Sequence, residues 1–340
     1  MTRPIAPLDI GIVGWHSHNQ MFDEISVELR AAGHRIVRYA HRDAFTATPD
    51  PLAGIDILLC VAVFALTRAT LTAAPRLRGI VSAVTGVDGV DLAAATERTV
   101  VIANAQTDEN IIGMAEATVL LMLAALYDLE GAQHQVRQNL WRPPQLKASQ
   151  LRGKTIGLIG LGKIGRGTAR LLAPWGAAMQ YSARRDADLT GLPPMPRVDL
   201  DTLLRTSDIV LVMASLNPET RGLVSAEKLK LMKPSAILVN TARGAIVDEA
   251  ALAEALKRKA IAGAALDCFA VEPLPADSPL RGLPNAILTP HMIGHTIEAH
   301  HSLEVATREN LGRIMAGQPP RYVVNPAVLP AWTAKWGTKA

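Results

Sequence analysis

Cysteine is nearly missing from this sequence: Cys60 and Cys268 are the only two among 340 residues. Neither stands in a metal-binding spacing, and one bridge would do little for so long a chain. A disulfide scaffold and a structural metal site are therefore not expected. A reducing, cytoplasmic compartment fits this usage. Aromatic residues make up only 4% of the chain, and no basic run exceeds Lys257-Arg258-Lys259. A nucleic-acid surface needs clustered cations interleaved with stacking rings, so no nucleic-acid partner is expected. The formal charge of +4 is the small difference of 35 basic and 31 acidic residues, the pattern of solvated helix faces. The longest apolar run, Ile111 to Leu126, is interrupted by Glu116 and is shorter than a membrane span. Met1 to Pro7 contain no apolar signal core, so a soluble chain without membrane contact is expected.

What is present is aliphatic. Hydrophobic residues reach 49%, and the length exceeds one ordinary core, which predicts two domains. Short β-rich runs alternate with helical patterns: Ile10–Val13, Ile36–Tyr39, Ile57–Val61, Ile80–Val84 and Val100–Ala103 read as strands. The stretch Phe22–Ala32 reads as a helix ending at Gly33. A long helix is expected from Ile112 to Gln138, apolar almost all round in its first half and so buried on several faces. After the connector Trp141-Arg142-Pro143-Pro144 a second series follows, with strands at Thr155–Ile159, Ala178–Tyr181, Ile209–Met213, Ala236–Asn240, Ala262–Leu266 and Ala286–Thr289. A last helix, Ile297–Ala316, stops at Gly317, and from Pro326 onward no periodicity is visible. The alternation predicts an α/β chain with two doubly wound parallel-sheet domains.

One strand runs directly into a glycine-rich turn. In Thr155-Ile-Gly-Leu-Ile-Gly160-Leu-Gly162-Lys163-Ile164-Gly165, Gly160 suits the tight turn. Gly162 lets the backbone approach a pyrophosphate, and Gly165 lets helix and strand pack closely. The following helix N-terminus offers N–H groups and a positive dipole end to a diphosphate. An NAD site would place a carboxylate about 20 residues on, at the end of the next strand. Here that strand ends Tyr181-Ser182-Ala183-Arg184-Arg185. A hydroxyl and two guanidinium groups suit a 2′-phosphate, so NADP is expected, with NAD possible if the loop is merely a solvated basic turn.

Three further strand ends carry charged residues: Arg243 after Val239-Asn-Thr-Ala, Glu272 after Leu266-Asp267-Cys-Phe-Ala-Val, and His291 in Leu288-Thr-Pro-His-Met-Ile-Gly294. Together these three can serve the reduction of a carbonyl by a nicotinamide hydride. An Arg grips a carboxylate and polarises the adjacent carbonyl. An imidazolium gives a proton to the developing alkoxide, and a carboxylate on the other ring nitrogen orients it and favours its charged form. His16 and His18, in a loop after the first strand, are candidate substrate contacts, while His300 and His301 read as surface. Asp88 and Asp91 read as helix caps.

The sequence resembles the D-isomer-specific 2-hydroxyacid dehydrogenase family, in particular its glyoxylate/hydroxypyruvate reductases. The likeness is carried by Gly86-Val-Asp-Gly-Val-Asp91, Ala115-Glu116, Leu151-Arg-Gly-Lys154, Ser207-Asp208-Ile209, Glu219-Thr220, Met232-Lys233 and the unbroken Asn240-Thr-Ala-Arg-Gly-Ala-Ile-Val-Asp-Glu249. The resemblance implies that Arg243, Glu272 and His291 form the catalytic triad, that Asp267 holds the nicotinamide carboxamide, and that Thr241, Ala242 and Gly294 line the cofactor. It places Lys163 and Ile164 under the diphosphate. It implies a flavodoxin-like substrate domain, residues 1–106 plus 296–330, a Rossmann cofactor domain at 107–295 with a cleft between them, and a tail at 331–340. A homodimer built on the long helix is implied as well. The loop after the third strand departs from the family: Ala62-Val63-Phe64 stands where an Arg or Ser is common. Substrate contacts there would come from backbone N–H groups, with Phe64 as an apolar wall and Gly86 beside it. The expected substrate is a small 2-keto or D-2-hydroxy acid. The alternatives are a nucleotide-binding scaffold without turnover, like the corepressors of this fold, and a phosphite- or formate-oxidising enzyme.

Overall fold

The computed structural model describes residues 6–142 and 147–338; Met1 to Ile5 and the connector prolines Pro143 and Pro144 lie outside the described residues. The chain divides into two compact units, one running to Asn110 and resuming at Ile297, the other Ile111–Thr296.

The first unit is a five-stranded parallel sheet: β1 (Asp9–Val13), β2 (Arg35–Tyr39), β3 (Ile57–Cys60), β4 (Gly79–Ser82) and β5 (Val101–Ala103). Its order, β2-β1-β3-β4-β5, is that of a flavodoxin-like doubly wound sheet. β3, β4 and β5 are buried on both faces, which is why they read as continuous aliphatic runs rather than alternating ones, whereas the edge strand β2 stays partly exposed. Ile12, Phe22 and Ile314 pack on one face; Leu58, Phe45 and Leu71 pack on the other. Helix Asn19–Ala31 ends before Gly33, whose φ of 87° reverses the chain into β2.

The second unit holds six parallel strands: β6 (Thr155–Ile159), β7 (Ala178–Ser182), β8 (Ile209–Val212), β9 (Ile237–Asn240), β10 (Gly263–Leu266) and β11 (Ala286–Leu288), ordered β11-β10-β9-β8-β6-β7. The order reverses between β6 and β8, the point where such sheets bind ligands beyond their carboxyl ends. Asp208 ties the opposite edge: its carboxylate accepts the Thr155 N–H at 2.9 Å and the Lys233 ammonium at 2.9 Å.

Two expectations are corrected. The long helix is not continuous to Gln138. Asp108–Leu126 and Leu129–Arg137 are separate, broken at Asp128, which takes a left-handed φ of 50°. Asp is among the few residues that tolerate this conformation. Asp108–Leu126 is 19 residues long with mean hydropathy 1.5, long and apolar enough by composition to cross a membrane, but half of its apolar window is buried within the protein. Its Leu121, Met122 and Leu126 pack with Leu158 and Leu172.

The stretch from Pro326 onward, read as lacking periodicity and ending in a tail at 331–340, contains a helix. Leu329–Trp336 is helical, and Trp332 is fully buried among Ile10, Val101 and Ile314 with its indole N–H donating to the Arg78 carbonyl at 2.7 Å. A single indole does this work, so no periodic pattern announces it. Trp332→Ala should lower the unfolding free energy by roughly 3–5 kcal/mol. Urea denaturation would measure it, and a loss below about 1 kcal/mol would mean the helix is not part of that core.

Candidate active site

Asn240, Leu266 and Leu288 stand in one row across β9, β10 and β11, so the loops leaving these three strands emerge side by side. Asn240 folds the first loop back on itself. Its Oδ1 accepts the Ala242 N–H at 3.0 Å, and its Nδ2 donates to the Arg243 carbonyl at 2.9 Å. Arg243 is thereby held extended, with one guanidinium N–H on the Ala242 carbonyl at 2.7 Å. Gly244 lets this loop touch the next: a Cβ there would stand 1.9 Å from the Phe269 carbonyl carbon.

The loops after β10 and β11 are joined by two carboxylates. Asp267, 1% exposed, accepts the Thr289 hydroxyl at 2.6 Å and the N–H groups of Met292 and Ile293 at 3.1 and 3.2 Å, all on Oδ1. These bonds close the turn in which His291 adopts a left-handed φ of 54°. Glu272 meets that imidazole directly, with Nδ1 2.9 and 2.8 Å from its two oxygens, while Oε1 also accepts the Phe269 N–H at 3.0 Å. Burial raises the Glu272 pKa, but the His291 hydrogen bond and charge, the Phe269 N–H and the Arg243 charge outweigh it and hold the carboxyl below its ordinary value. The pair is a little over one-third exposed, so a small molecule can reach it. With Nδ1 engaged, Nε2 is the ring atom available for proton transfer.

The glycine loop leaves β6 beside this row. Gly160 has φ 91°, and a Cβ would lie 2.8 Å from the Ala214 backbone. Gly162 faces open space, and at Gly165, in helix Lys163–Leu172, an added Cβ would stand 3.1 Å from the Gly160 carbonyl oxygen. Lys163 is exposed, Ile164 is half-buried, and no side chain caps the helix N-terminus. An open glycine, a free run of N–H groups and a positive dipole end fit a dinucleotide diphosphate. Beyond β7, Ser182 is half-buried and Arg184 and Arg185 are exposed; Arg184 pairs with Glu219 at 2.5 Å.

Other candidates prove to be inside. Thr241 is buried and bonded to the Thr118 hydroxyl at 2.8 Å, and Gly294 is packed on Met114. Cys268 is buried, which pushes its thiol pKa up and rules it out as a nucleophile.

In the first unit, His16 is exposed, but His18 is not a surface group. Its ring is 2% exposed, bonded to the Ser17 hydroxyl at 2.9 Å and stacked on His300 at 5.7 Å. Phe64 is likewise not a wall: it is 7% exposed and packs edge-on against Phe45 at 5.3 Å, since a ring flanked by β3 and a helix gains more from burial than from solvent. The Ala62 N–H is taken by the Ser82 hydroxyl at 3.3 Å, which donates in turn to the Gly86 carbonyl at 3.0 Å, and the Val63 N–H folds onto the Val61 carbonyl at 2.8 Å. Neither amide is therefore left for a carboxylate. Asp91 caps Leu92–Glu97 as expected. Ser82 carried no sequence signal beyond being a polar residue at a strand end, while Asn240 stood out only as the first residue of the motif running to Glu249 and not as the group that folds its loop.

Residues 119–293 match the family model described as D-isomer specific 2-hydroxyacid dehydrogenase, NAD binding domain. A glyoxylate reductase of Thermofilum pendens is 40% identical over 283 residues, 81% of this chain and 82% of its own. The chain also matches a D-3-phosphoglycerate dehydrogenase of Methanocaldococcus jannaschii, of whose length it spans about half. Among solved structures, an NADPH-dependent glyoxylate/hydroxypyruvate reductase from Sinorhizobium meliloti with NADP and malonate has TM-score 0.83 at 28% identity, covering 98% of this chain and 100% of that one. An NAD-dependent formate dehydrogenase from Staphylococcus aureus with NAD has TM-score 0.77 at 30% identity, covering 92% and 96%.

The Glu272 geometry has a consequence for stability. Its folded pKa lies below the ordinary 4.5, so its ionisation stabilises the fold above that value. This contribution disappears as pH falls through the depressed folded pKa. Glu272→Gln should therefore destabilise the chain at pH 7 and matter progressively less below about pH 4. Urea midpoints across pH would show it; an equal loss at pH 7 and at about pH 3 would contradict the pairing.

Proposed function

The chain belongs to the D-isomer specific 2-hydroxyacid dehydrogenase family, and on that premise we propose that it uses NADP(H) to interconvert a small 2-keto acid of the glyoxylate or hydroxypyruvate type and its D-2-hydroxy acid. The observation that carries this is the Arg243, Glu272 and His291 grouping beyond one row of strand ends. Bound nicotinamide supplies or accepts the hydride. In the direction of reduction, Arg243 binds the substrate carboxylate and draws electron density from the neighbouring carbonyl. His291 donates the Nε2 proton to the oxygen as it becomes an alkoxide. Glu272 fixes the ring through Nδ1 and compensates its positive charge before the proton leaves. Asp267 supports the histidine turn. Residues 107–295 serve the cofactor, and residues 1–106 with 296–330 serve the substrate. The absence of a carboxylate at the end of β7, with Arg184 and Arg185 in its place, supports NADP over NAD. Two buried, unbridged thiols are in keeping with a cytoplasmic enzyme.

His291→Gln should reduce turnover roughly 10²–10⁴-fold while NADPH binding, followed by fluorescence, persists. Unchanged turnover would remove the proposed mechanism. The same assay compares NADPH with NADH against glyoxylate, hydroxypyruvate, pyruvate, phenylpyruvate and branched keto acids, with formate and phosphite oxidation as controls. Faster rates with NADH would overturn the cofactor assignment, and turnover of formate or phosphite alone would overturn the substrate class.

A homodimer is supported by a run of exposed apolar residues around the broken helix: Ile112, Val136, Leu140 and Trp141 are 55, 80, 55 and 83% exposed. Covering such side chains in a self-complementary interface would remove their apolar area from water. The Val136→Asp, Leu140→Asp double variant should shift the chain from dimer to monomer in light scattering; a wild-type chain that is already monomeric would end this assignment.

A further inference from the structure

The cofactor loop after β7 is shaped by side chains that lie outside its own motif. Tyr181 donates its N–H to the Pro196 carbonyl at 3.0 Å and accepts the Val198 N–H at 2.9 Å, so the segment around Arg197 runs beside the end of β7. The Arg197 guanidinium then donates to the Ala183 and Arg184 carbonyls, each at 3.0 Å, and to the Asp186 carboxylate at 3.0 Å. The backbone of Arg184 is thus fixed from behind, and its side chain is directed by a different residue. Glu219, in the loop after β8, accepts the Arg184 guanidinium at 2.5 Å. Glu219 is itself presented by a built turn. Asn217 Oδ1 accepts the N–H groups of Glu219 and Thr220 at 2.9 and 3.1 Å, and the Thr220 hydroxyl donates to the Ser215 carbonyl at 2.8 Å.

The two charged side chains are 73% and 64% exposed. An ion pair this open adds little to stability, because solvent screens it and two long side chains must be ordered. Its consequence lies elsewhere. A guanidinium with a carboxylate on one edge offers fewer donors to a second anion, and the carboxylate's own charge opposes a dianion held nearby. A neutral ribose 2′-hydroxyl carries no such penalty. We infer that Glu219 is a specificity-determining residue of the cofactor site: its carboxylate competes with the 2′-phosphate for Arg184 and holds the preference for NADP below what Arg184 and Arg185 alone would confer. The inference rests on the reading of this loop as the 2′-phosphate site.

The test is a double-mutant cycle read by the Kd of NADPH and of NADH, measured by nucleotide fluorescence on the full chain. Glu219→Gln should tighten NADPH by about threefold to fivefold, the range of a screened charge interaction, and leave NADH unchanged. In an Arg184→Gln background the same substitution should lose most of that effect, because the two residues act as one unit. The gain should also shrink at about 0.5 M salt. Suppose Arg184→Gln lowers the NADPH/NADH preference but Glu219→Gln leaves it unchanged, or acts equally in both backgrounds. The Glu219 inference then fails while the 2′-phosphate reading stands. Should Arg184→Gln leave the preference untouched, the reading of the loop itself fails, and the inference with it.

Discussion

The register of three parallel strands is the constraint on which the site depends. Because Asn240, Leu266 and Leu288 are paired across β9, β10 and β11, the loops that follow start at the same height and only a few residues separate each strand end from Arg243, Glu272 or His291. Short loops on a rigid sheet carry little conformational freedom, so side chains remote in sequence are brought together without any long segment having to be ordered. A slip of one residue between β10 and β11 would turn alternate side chains to the wrong face and separate Glu272 from the imidazole.

Strand register brings the loops together; buried polar side chains then give each its shape. Asn240 closes its own loop through both ends of its amide, and Asp267 gathers a hydroxyl and two backbone N–H groups onto one oxygen. A buried carboxylate is tolerable only because it is so fully bonded, and the same bonds compensate the left-handed backbone at His291, which a non-glycine residue adopts at a cost of about 1–3 kcal/mol. The family likeness assigns Asp267 to the nicotinamide carboxamide. The structure adds that its Oδ1 is already committed to the turn carrying the histidine.

Much of this was legible in the sequence, and the exceptions share a cause. Aliphatic runs marked the central strands of both sheets because these are buried on two faces, and Gly160 and Gly165 occupy the turn and the close contact that their spacing implied. What periodicity cannot carry is a single long-range contact. Trp332 lies in a stretch without pattern yet fills the first core, and Asp128 breaks an otherwise helical run by one backbone angle. Phe64 and His18 sit at strand ends, where sequence reasoning places ligand contacts, but neighbours distant in sequence, Phe45 and His300, cover them. Ser82 and Arg197 act on carbonyls, which have no sequence signature at all.

The two halves of the second unit's site are held by different physics. The histidine, its carboxylate and the turn beneath them are joined by bonds that are partly or wholly withdrawn from water, where each hydrogen bond is stronger and an unpaired group is costly. The loop after β7 is held by exposed guanidinium–carboxylate and guanidinium–carbonyl contacts, which exchange with water and weaken in salt. Changing a residue in the first set disturbs the fold and the chemistry together. On the proposed reading, exchanging a charge in the second alters the field met by the nucleotide's ribose and leaves the fold alone. A cofactor loop held apart from the histidine turn in this way lets cofactor choice vary on one fold, and similar structures are bound to NADP in one relative and to NAD in another.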